Sequence, residues 1–339
     1  MDAPDTLLIR LPNPVGDVVM TTPLLRCLRS AYPSSRIVVA GKPVFESLLA
    51  GLETIDQFVA LPSGVRSQAR ALRAVQADLA LLLPNSWSSA LAARLAGIPQ
   101  RIGRRAQGRG ALLTTRLPTV GPARPMTRVY LEMLAALHIE VPRPGQEPAA
   151  ELRLEGNDDA PQPTHLGVAP GAAFGPSKCY PLDQLVPAVT KLAAQTGLQP
   201  LLIGSPTEQD LLQETATALQ QAGLDPVLPA PSGLDQAKRR LASCALLVTM
   251  DSGARHIAAA LGVPQVVLYG PTHPEWSAHA LDSTTILRRN ELDCLNCHEK
   301  VCPIDHRCMT RIAPDDLVEA GLARLSQKAE RAPESGARS

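Results

Sequence analysis

Two stretches of this 339-residue chain place groups that can do chemistry where a strand gives way to a helix. Near the start, Pro14-Val15-Gly16-Asp17-Val18-Val19 sets a glycine and a carboxylate just past the apolar run Leu7–Leu11. Nearer the C-terminus, Leu246-Leu247-Val248-Thr249-Met250 leads straight into Asp251-Ser252-Gly253-Ala254-Arg255-His256. Backbone N–H groups at such junctions are unsatisfied within the helix and suit a phosphate. One junction predicts a diphosphate mouth, the other a carboxylate able to take a proton.

Each residue also has a plain structural reading. Asp17 is expected to be either a helix N-cap, the commonest use of Asp at such a place, or a general base. Lys178 stands before a helix, at the end of the glycine-bearing loop Pro170-Gly171-Ala172-Ala173-Phe174-Gly175-Pro176-Ser177. There a cation and the loop amides, those of Gly171 and Ala172 among them, can neutralise a phosphate, whereas the usual fate of a lysine is a solvated surface. Asp251 and Ser252 either cap a helix or hold a pyrophosphate, and Gly253 favours the second because it permits close backbone approach. His256 is equally suited to a core position or to the edge of the phosphate. P-loop spacing is missing from the lysine loop, and Asn13-Pro14-Val15-Gly16 does not supply the G-x-G-x-x-G of a dinucleotide-binding turn. An ATPase or a nucleotide-sugar dehydrogenase is therefore disfavoured.

Cys294, Cys297, Cys302 and Cys308 form C-x₂-C-x₄-C-x₅-C with His298 and His306 nearby. Four thiolates so close together can complete a closed structural zinc site, though the second half lacks the paired knuckle of zinc ribbons. The alternative is a set of packed or adventitiously oxidised thiols. An iron–sulfur cluster fits less well, since the spacing matches neither common ferredoxin pattern. Cys27, Cys179 and Cys244 stand singly, as reduced thiols packed as small hydrophobes do.

The elements that must position these groups alternate. Apolar runs at Leu7–Leu11, Ile37–Ala40, Asp56–Ala60, Leu79–Leu83, His165–Ala169, Pro200–Gly204, Ala245–Met250 and Gln265–Gly270 are separated by amphipathic helical patterns. Continuous apolar strands between helices imply parallel sheets covered on both faces, a doubly wound α/β arrangement. From Glu140 to Thr164 the pattern lapses into proline-rich, polar sequence, read as an interdomain connection. The expected architecture is two Rossmann-like domains facing across a cleft, 1–160 and 161–339, the second carrying the cysteine segment 294–308 and a final helix from Pro314. Ligands of such sheets bind outside the carboxyl ends of the strands.

Composition narrows the classes further. Lys and Arg number 33 against 32 Asp and Glu, and aromatic residues make up only 3%, so neither a basic field nor a stacking platform points to nucleic acid. No apolar stretch is long enough for a membrane span, and the acidic start Met1-Asp2-Ala3-Pro4-Asp5 is unlike a signal peptide. A cytoplasmic protein is expected.

Six motifs in order resemble those of the lipopolysaccharide heptosyltransferases, glycosyltransferase family 9, in their heptosyltransferase II-like form. They are Pro14–Pro23, Pro170-Gly171-Ala172, Lys178-Cys179-Tyr180-Pro181, Gly204–Glu208, Asp251–Pro264 and Tyr269–Pro274. The resemblance implies a GT-B fold, an inverting transfer from ADP-heptose bound by the C-terminal domain, and a lipopolysaccharide inner-core acceptor at the inner membrane surface, met by the N-terminal domain around Gly16. It makes Asp17 the candidate base, gives Lys178 the donor phosphates, Glu208 the ribose hydroxyls, and Asp251, Ser252 and Gly253 the diphosphate and sugar. No cofactor is implied for catalysis, and no acidic metal-holding pair stands out, so any zinc would be structural. Arg101, Arg104, Arg105 and Arg109, four arginines within nine residues, are expected to read a phosphorylated acceptor rather than serve only as a solvated loop. Cys179-Tyr180, Ala254-Arg255 and Met126-Thr127-Arg128 depart from the family pattern, which bears on sugar and acceptor identity rather than on fold.

Overall fold

A computed structural model describes residues 3–155 and 161–331. Two compact units divide the chain: the first runs to Glu155 and takes in Glu275–Ala278, and the second comprises the rest. The expected boundary at 160/161 and part of the expected connection fall on residues 156–160, outside the described residues.

The first unit carries six strands, β1 (Thr6–Arg10), β2 (Arg36–Gly41), β3 (Gln57–Ala60), β4 (Leu79–Leu82), β5 (Gln100–Arg104) and β6 (Thr115–Leu117). All pair in parallel in the order β3-β2-β1-β4-β5-β6, the order of a dinucleotide-binding Rossmann sheet. The central strands are buried on both faces, which is why they read as unbroken apolar runs: Leu7, Leu8, Ile9, Val38 and Val39 have no exposed surface. Each such side chain contributes about 2 kcal/mol of burial. Because β1 pairs with both β2 and β4, connections leave it on opposite sides, and the turn after β1 is the switch point of the sheet. Gly16 and Asp17 occupy that turn.

The second unit holds β7 (His165–Ala169), β8 (Gln199–Leu202), β9 (Cys244–Met250), β10 (Gln265–Leu268) and β11 (Thr284–Leu287), parallel in the order β11-β10-β9-β7-β8. Its core takes Leu166, Val168, Leu246, Val248, Val266 and Leu268 from the strands, Leu185 and Leu192 from the helix Leu182–Thr196, and Leu317 from the helix Pro314–Arg331. Strands β7 and β9 approach closely: a Cβ on Gly167 would lie 2.7 Å from Cys244 Sγ. Cys244 is packed as expected, its buried thiol pushed up to about 12 and so inert.

Strands β5, β6 and β11 lie outside the sequence expectation. β5 reads Gln-Arg-Ile-Gly-Arg and β6 has three residues, so neither offers an apolar run. The supposed basic loop at 101–109 is in part a strand, with Arg101 paired to Ala80 of β4 and Arg104 to Leu117 of β6.

Candidate functional site

The loops that leave the second sheet at its carboxyl end bring the predicted donor residues together. Lys178, after β7, is buried, and its ammonium donates to Asp251 Oδ2 at 2.7 Å and to the Asp251 carbonyl at 2.9 Å. Thr272, after β10, donates to the same carboxylate at 3.0 Å. The Lys178 ammonium also sits 5.1 Å from the centre of the Phe174 ring. Burial alone would push the Asp251 carboxyl up, but Lys178, Arg255 and Thr272 together hold it below the usual carboxylate range. A lysine ammonium has three protons and Asp251 takes two, so one remains for a ligand oxygen. The surface-lysine reading thus fails on burial.

Ser252 is the N-cap of the helix Gly253–Ala260, yet its side chain makes no capping bond; the hydroxyl stands 3.3 Å from Thr249 Oγ1 instead. The first amides of this eight-residue helix are left for a partner outside it, as an anion site needs. Asp251 stands one residue before that N-cap position, with Lys178 and Thr272 donating to its carboxylate.

Glu208 shows both of its readings at once. Its carboxylate accepts from the Ser205 amide at 2.7 Å and the Ser205 hydroxyl at 2.6 Å, closing a capping box ahead of the helix Gln209–Gln221. It also lies against Gly171, where an added Cβ would come within 2.2 Å of Glu208 Oε1. Gly171 is therefore glycine because the loop after β7 must touch the side chain carried after β8. Ala172 accompanies it in that loop, and Cys179 is near enough to feel the Glu208 charge.

His256 lies beneath this site, fully in the structural role. Its Nδ1 is 2.7 Å from His279 Nε2 with the rings stacked at 5.0 Å, and Arg255, wholly buried, reaches the His279 carbonyl at 3.2 Å. Burial first, then the nearby Arg255 charge, drives both imidazoles down, His279 to about 3. One ring nitrogen must donate and the other accept, and the lowered values keep both rings neutral near pH 7.

In the first unit, Asp17 is the third residue of the short helix Val15–Val19, whose N-cap is Pro14. Asp17 is thus not the N-cap residue, and its charge, after burial, raises the phenol of Tyr130, a buried residue of the helix Met126–Leu131. Gly16 is buried in the same short helix, beside Asp17.

The arginine segment corrects an expectation. Arg101 donates to the carbonyls of Leu112 at 2.8 Å and Pro99 at 3.2 Å, and to that of Ile98. Arg104, buried, donates to the carbonyls of Pro118 and Val129 at 3.1 and 2.8 Å and pairs with Glu132 at 2.6 Å. Arg109 has no exposed surface and spans the Arg104, Pro84 and Ser86 carbonyls. These guanidiniums are spent on satisfying the chain's own carbonyls, which a side chain with five donors does well. Reading of the acceptor by Arg101 and Arg104 is not what their contacts describe; Arg105 keeps an exposed side chain.

Nor does the geometry carry the zinc that the cysteine spacing suggests. All seven cysteines are free thiols, and among the described residues no group of three or more His, Cys, Asp or Glu side chains is arranged to hold a metal ion. Cys308 is buried in the core and Cys297 exposed, while Cys294 and Cys302 are intermediate.

Sequence reasoning missed Tyr130, Thr272 and His279. Thr272 lies inside a quoted motif and was legible; the other two are reached only by contacts between distant segments.

Two doubly wound domains, with a cation and free helix amides at the strand ends of one and a carboxylate at the switch point of the other, define the chain as a glycosyltransferase of the GT-B fold. It belongs to glycosyltransferase family 9 (heptosyltransferase), whose model matches residues 65–307. It is 30% identical over 351 residues to lipopolysaccharide heptosyltransferase 2 of Escherichia coli K12, covering 95% of this chain and 99% of that one. It is 29% identical to lipooligosaccharide heptosyltransferase 2 of Haemophilus ducreyi, covering 92% and 97%. The solved structure of the E. coli ADP-heptose heptosyltransferase II matches at a TM-score of 0.79 with 27% identity, over 96% of this chain and 99% of that chain.

Proposed function

We propose that this protein transfers heptose from ADP-heptose to the lipopolysaccharide inner core, with inversion at the anomeric carbon. The observation that carries the reading is the buried Lys178–Asp251–Thr272 network at the carboxyl ends of β7, β9 and β10, beside the uncapped amides of the helix Gly253–Ala260. That arrangement suits a leaving diphosphate. Near-full-length similarity to heptosyltransferases supports the choice of donor and acceptor.

Asp17 takes the proton of an acceptor hydroxyl. The oxygen attacks the anomeric carbon as the bond to the β-phosphate oxygen breaks, and that electron pair leaves with ADP. The third proton of Lys178 and the helix amides meet the charge that develops on the diphosphate. Glu208, whose carboxylate borders the Gly171 loop, receives the ribose hydroxyls. No metal cofactor enters this scheme, because protein groups supply the neutralisation.

No helix among the described residues is long and apolar enough to cross a membrane. We place the enzyme in the cytoplasm, working peripherally at the inner membrane, where the acceptor is presented. The test is incubation of the purified protein with ADP-heptose and a panel of core-truncated lipopolysaccharides, with chelator present. Release of ADP matched by heptose incorporation into one truncation supports the reading. Binding of ADP-heptose without turnover on any of them overturns it.

A further inference from the structure

The helix Gly253–Ala260 carries a buried cation in its first turn. Gly253, Ala254 and Arg255 are its first three residues, and no acidic residue stands among them. Arg255 lies in one of the stretches that depart from the family pattern, and it has no exposed surface. Its Nη2 donates to the His279 carbonyl at 3.2 Å, its Nη1 stands 3.4 Å from His256 Nδ1, and its Nε has no partner. A carbonyl and an imidazole therefore share the guanidinium, and among the described residues no carboxylate forms an ion pair with it.

Neither burial nor position favours such a charge. A buried charge needs a hydrogen-bonded counter-ion, and a cation in a first turn meets the positive end of the helix dipole. The two imidazoles bring no negative charge, being neutral near pH 7. Asp251, four residues earlier, accepts from Lys178 at 2.7 Å and from Thr272 at 3.0 Å. Lys178 and Arg255 thus bring two positive charges to one carboxylate, where Ser252 leaves its helix without a side-chain cap. The excess has the sign that a diphosphate balances.

We propose that Arg255 is a further determinant of donor binding: its buried charge in the first turn of the helix Gly253–Ala260 is balanced when a diphosphate reaches the amides of that turn, and so sets the preference for a nucleoside diphosphate over less charged nucleosides. The proposal rests on the reading of this end of the second sheet as the diphosphate site, and it adds a residue that the transfer scheme does not use. Arg255 touches the His279 carbonyl and His256, so its effect on the ligand is through the field rather than by contact. In the interior a charge is weakly screened and acts across a helical turn. The gain in affinity must then grow with the charge of the ligand.

Arg255→Met keeps an unbranched apolar stem and removes the charge. Calorimetry near neutral pH with ADP, AMP and adenosine reads the result. ADP should bind about tenfold more weakly, AMP should lose less, and adenosine should bind as before. Arg255→Lys, which keeps the charge, should stay within about threefold of wild type for all three. Arg255→Gln gives the same comparison if the methionine variant does not fold.

Wild-type ADP affinity in the uncharged variants overturns the proposal and leaves the diphosphate site standing. Equal fold-losses for ADP, AMP and adenosine also overturn it, since they would mark the guanidinium as a support for His279 and the helix alone. A wild-type protein that binds ADP no more tightly than adenosine removes the diphosphate site itself, and the proposal with it.

Discussion

Lys178 Nζ lies 2.7 Å from Asp251 Oδ2, in a pair whose side chains are only about a tenth exposed. Removing one member of such a pair strands the other charge in the interior, at a cost of roughly 3–5 kcal/mol. Lys178→Met should therefore lower both stability and ADP affinity, the latter by at least about tenfold. Adding Asp251→Asn removes the stranded charge. The double variant should recover most of the stability and none of the ADP affinity, as read by thermal melts and calorimetry. Recovery of both would mean that Lys178 serves the fold alone.

Glu208 separates cap from ligand contact in another way. Glutamine also closes a capping box, so Glu208→Gln should cost less than about 1 kcal/mol of stability. The amide is a poorer partner for ribose hydroxyls, so ADP should bind more weakly while pyrophosphate, which lacks the ribose, binds as before. Equal calorimetric losses for the two ligands would remove the ribose assignment.

The parts of this arrangement that were legible in the sequence share one property: they are local. β1, β4, β7 and β9 declared themselves because burial on both faces demands unbroken apolar residues, and the turns that follow them must then carry Gly16-Asp17, Gly171 and Asp251-Ser252-Gly253. β5 and β6 did not, because towards and at the edge of the sheet Gln100, Arg101 and Thr115 serve as well as apolar residues. The arginine segment misled for the same reason. Spacing shows the charge of Arg104 and Arg109, but only the fold shows that carbonyls of Val129, Pro84 and Ser86 surround them. Tyr130 and His279 depend on segments that meet only after folding, and no period or motif marks them.

The His256–His279 pair predicts a pH dependence of stability. Both imidazoles are held below 6.5 in the folded protein, His279 at about 3, whereas unfolding returns them to the ordinary value. The unfolded chain then binds more protons between those values, so stability is lost as pH falls below 6.5. The slope approaches about 1.4 kcal/mol per pH unit for His279, and His256 acts in the same direction. Asp251 does not contribute in this window, because its depressed carboxyl loses stabilisation only at lower pH. Urea unfolding at pH 7 and pH 5 should show a steep loss that becomes shallower in His279→Gln. Parallel curves for the two proteins would remove the pair as the cause.

The last prediction concerns the cysteine segment, whose contacts point to a brace for the lysine loop. Ser177, next to Lys178, donates its amide to the Lys300 carbonyl at 3.1 Å and its hydroxyl to the Glu299 carbonyl at 2.6 Å. His306 Nε2 meets the Ser177 carbonyl at 2.7 Å. Gly175, with φ at +148°, passes so close that an added Cβ would stand 2.6 Å from the Lys300 carbonyl. Cys308 anchors the segment in the core, and burial, followed by the charges of Cys294, Cys302 and Cys297, pushes its thiol up to about 11. Packing and hydrogen bonds therefore suffice to hold the segment, and protein purified without added metal should contain close to no zinc. Chelation should leave ADP affinity unchanged, whereas His306→Ala should weaken ADP several-fold by loosening Ser177 and, through it, Lys178. One zinc per chain, with the four thiols shielded from alkylation until a chelator is added, would restore the tetrathiolate site and overturn this account.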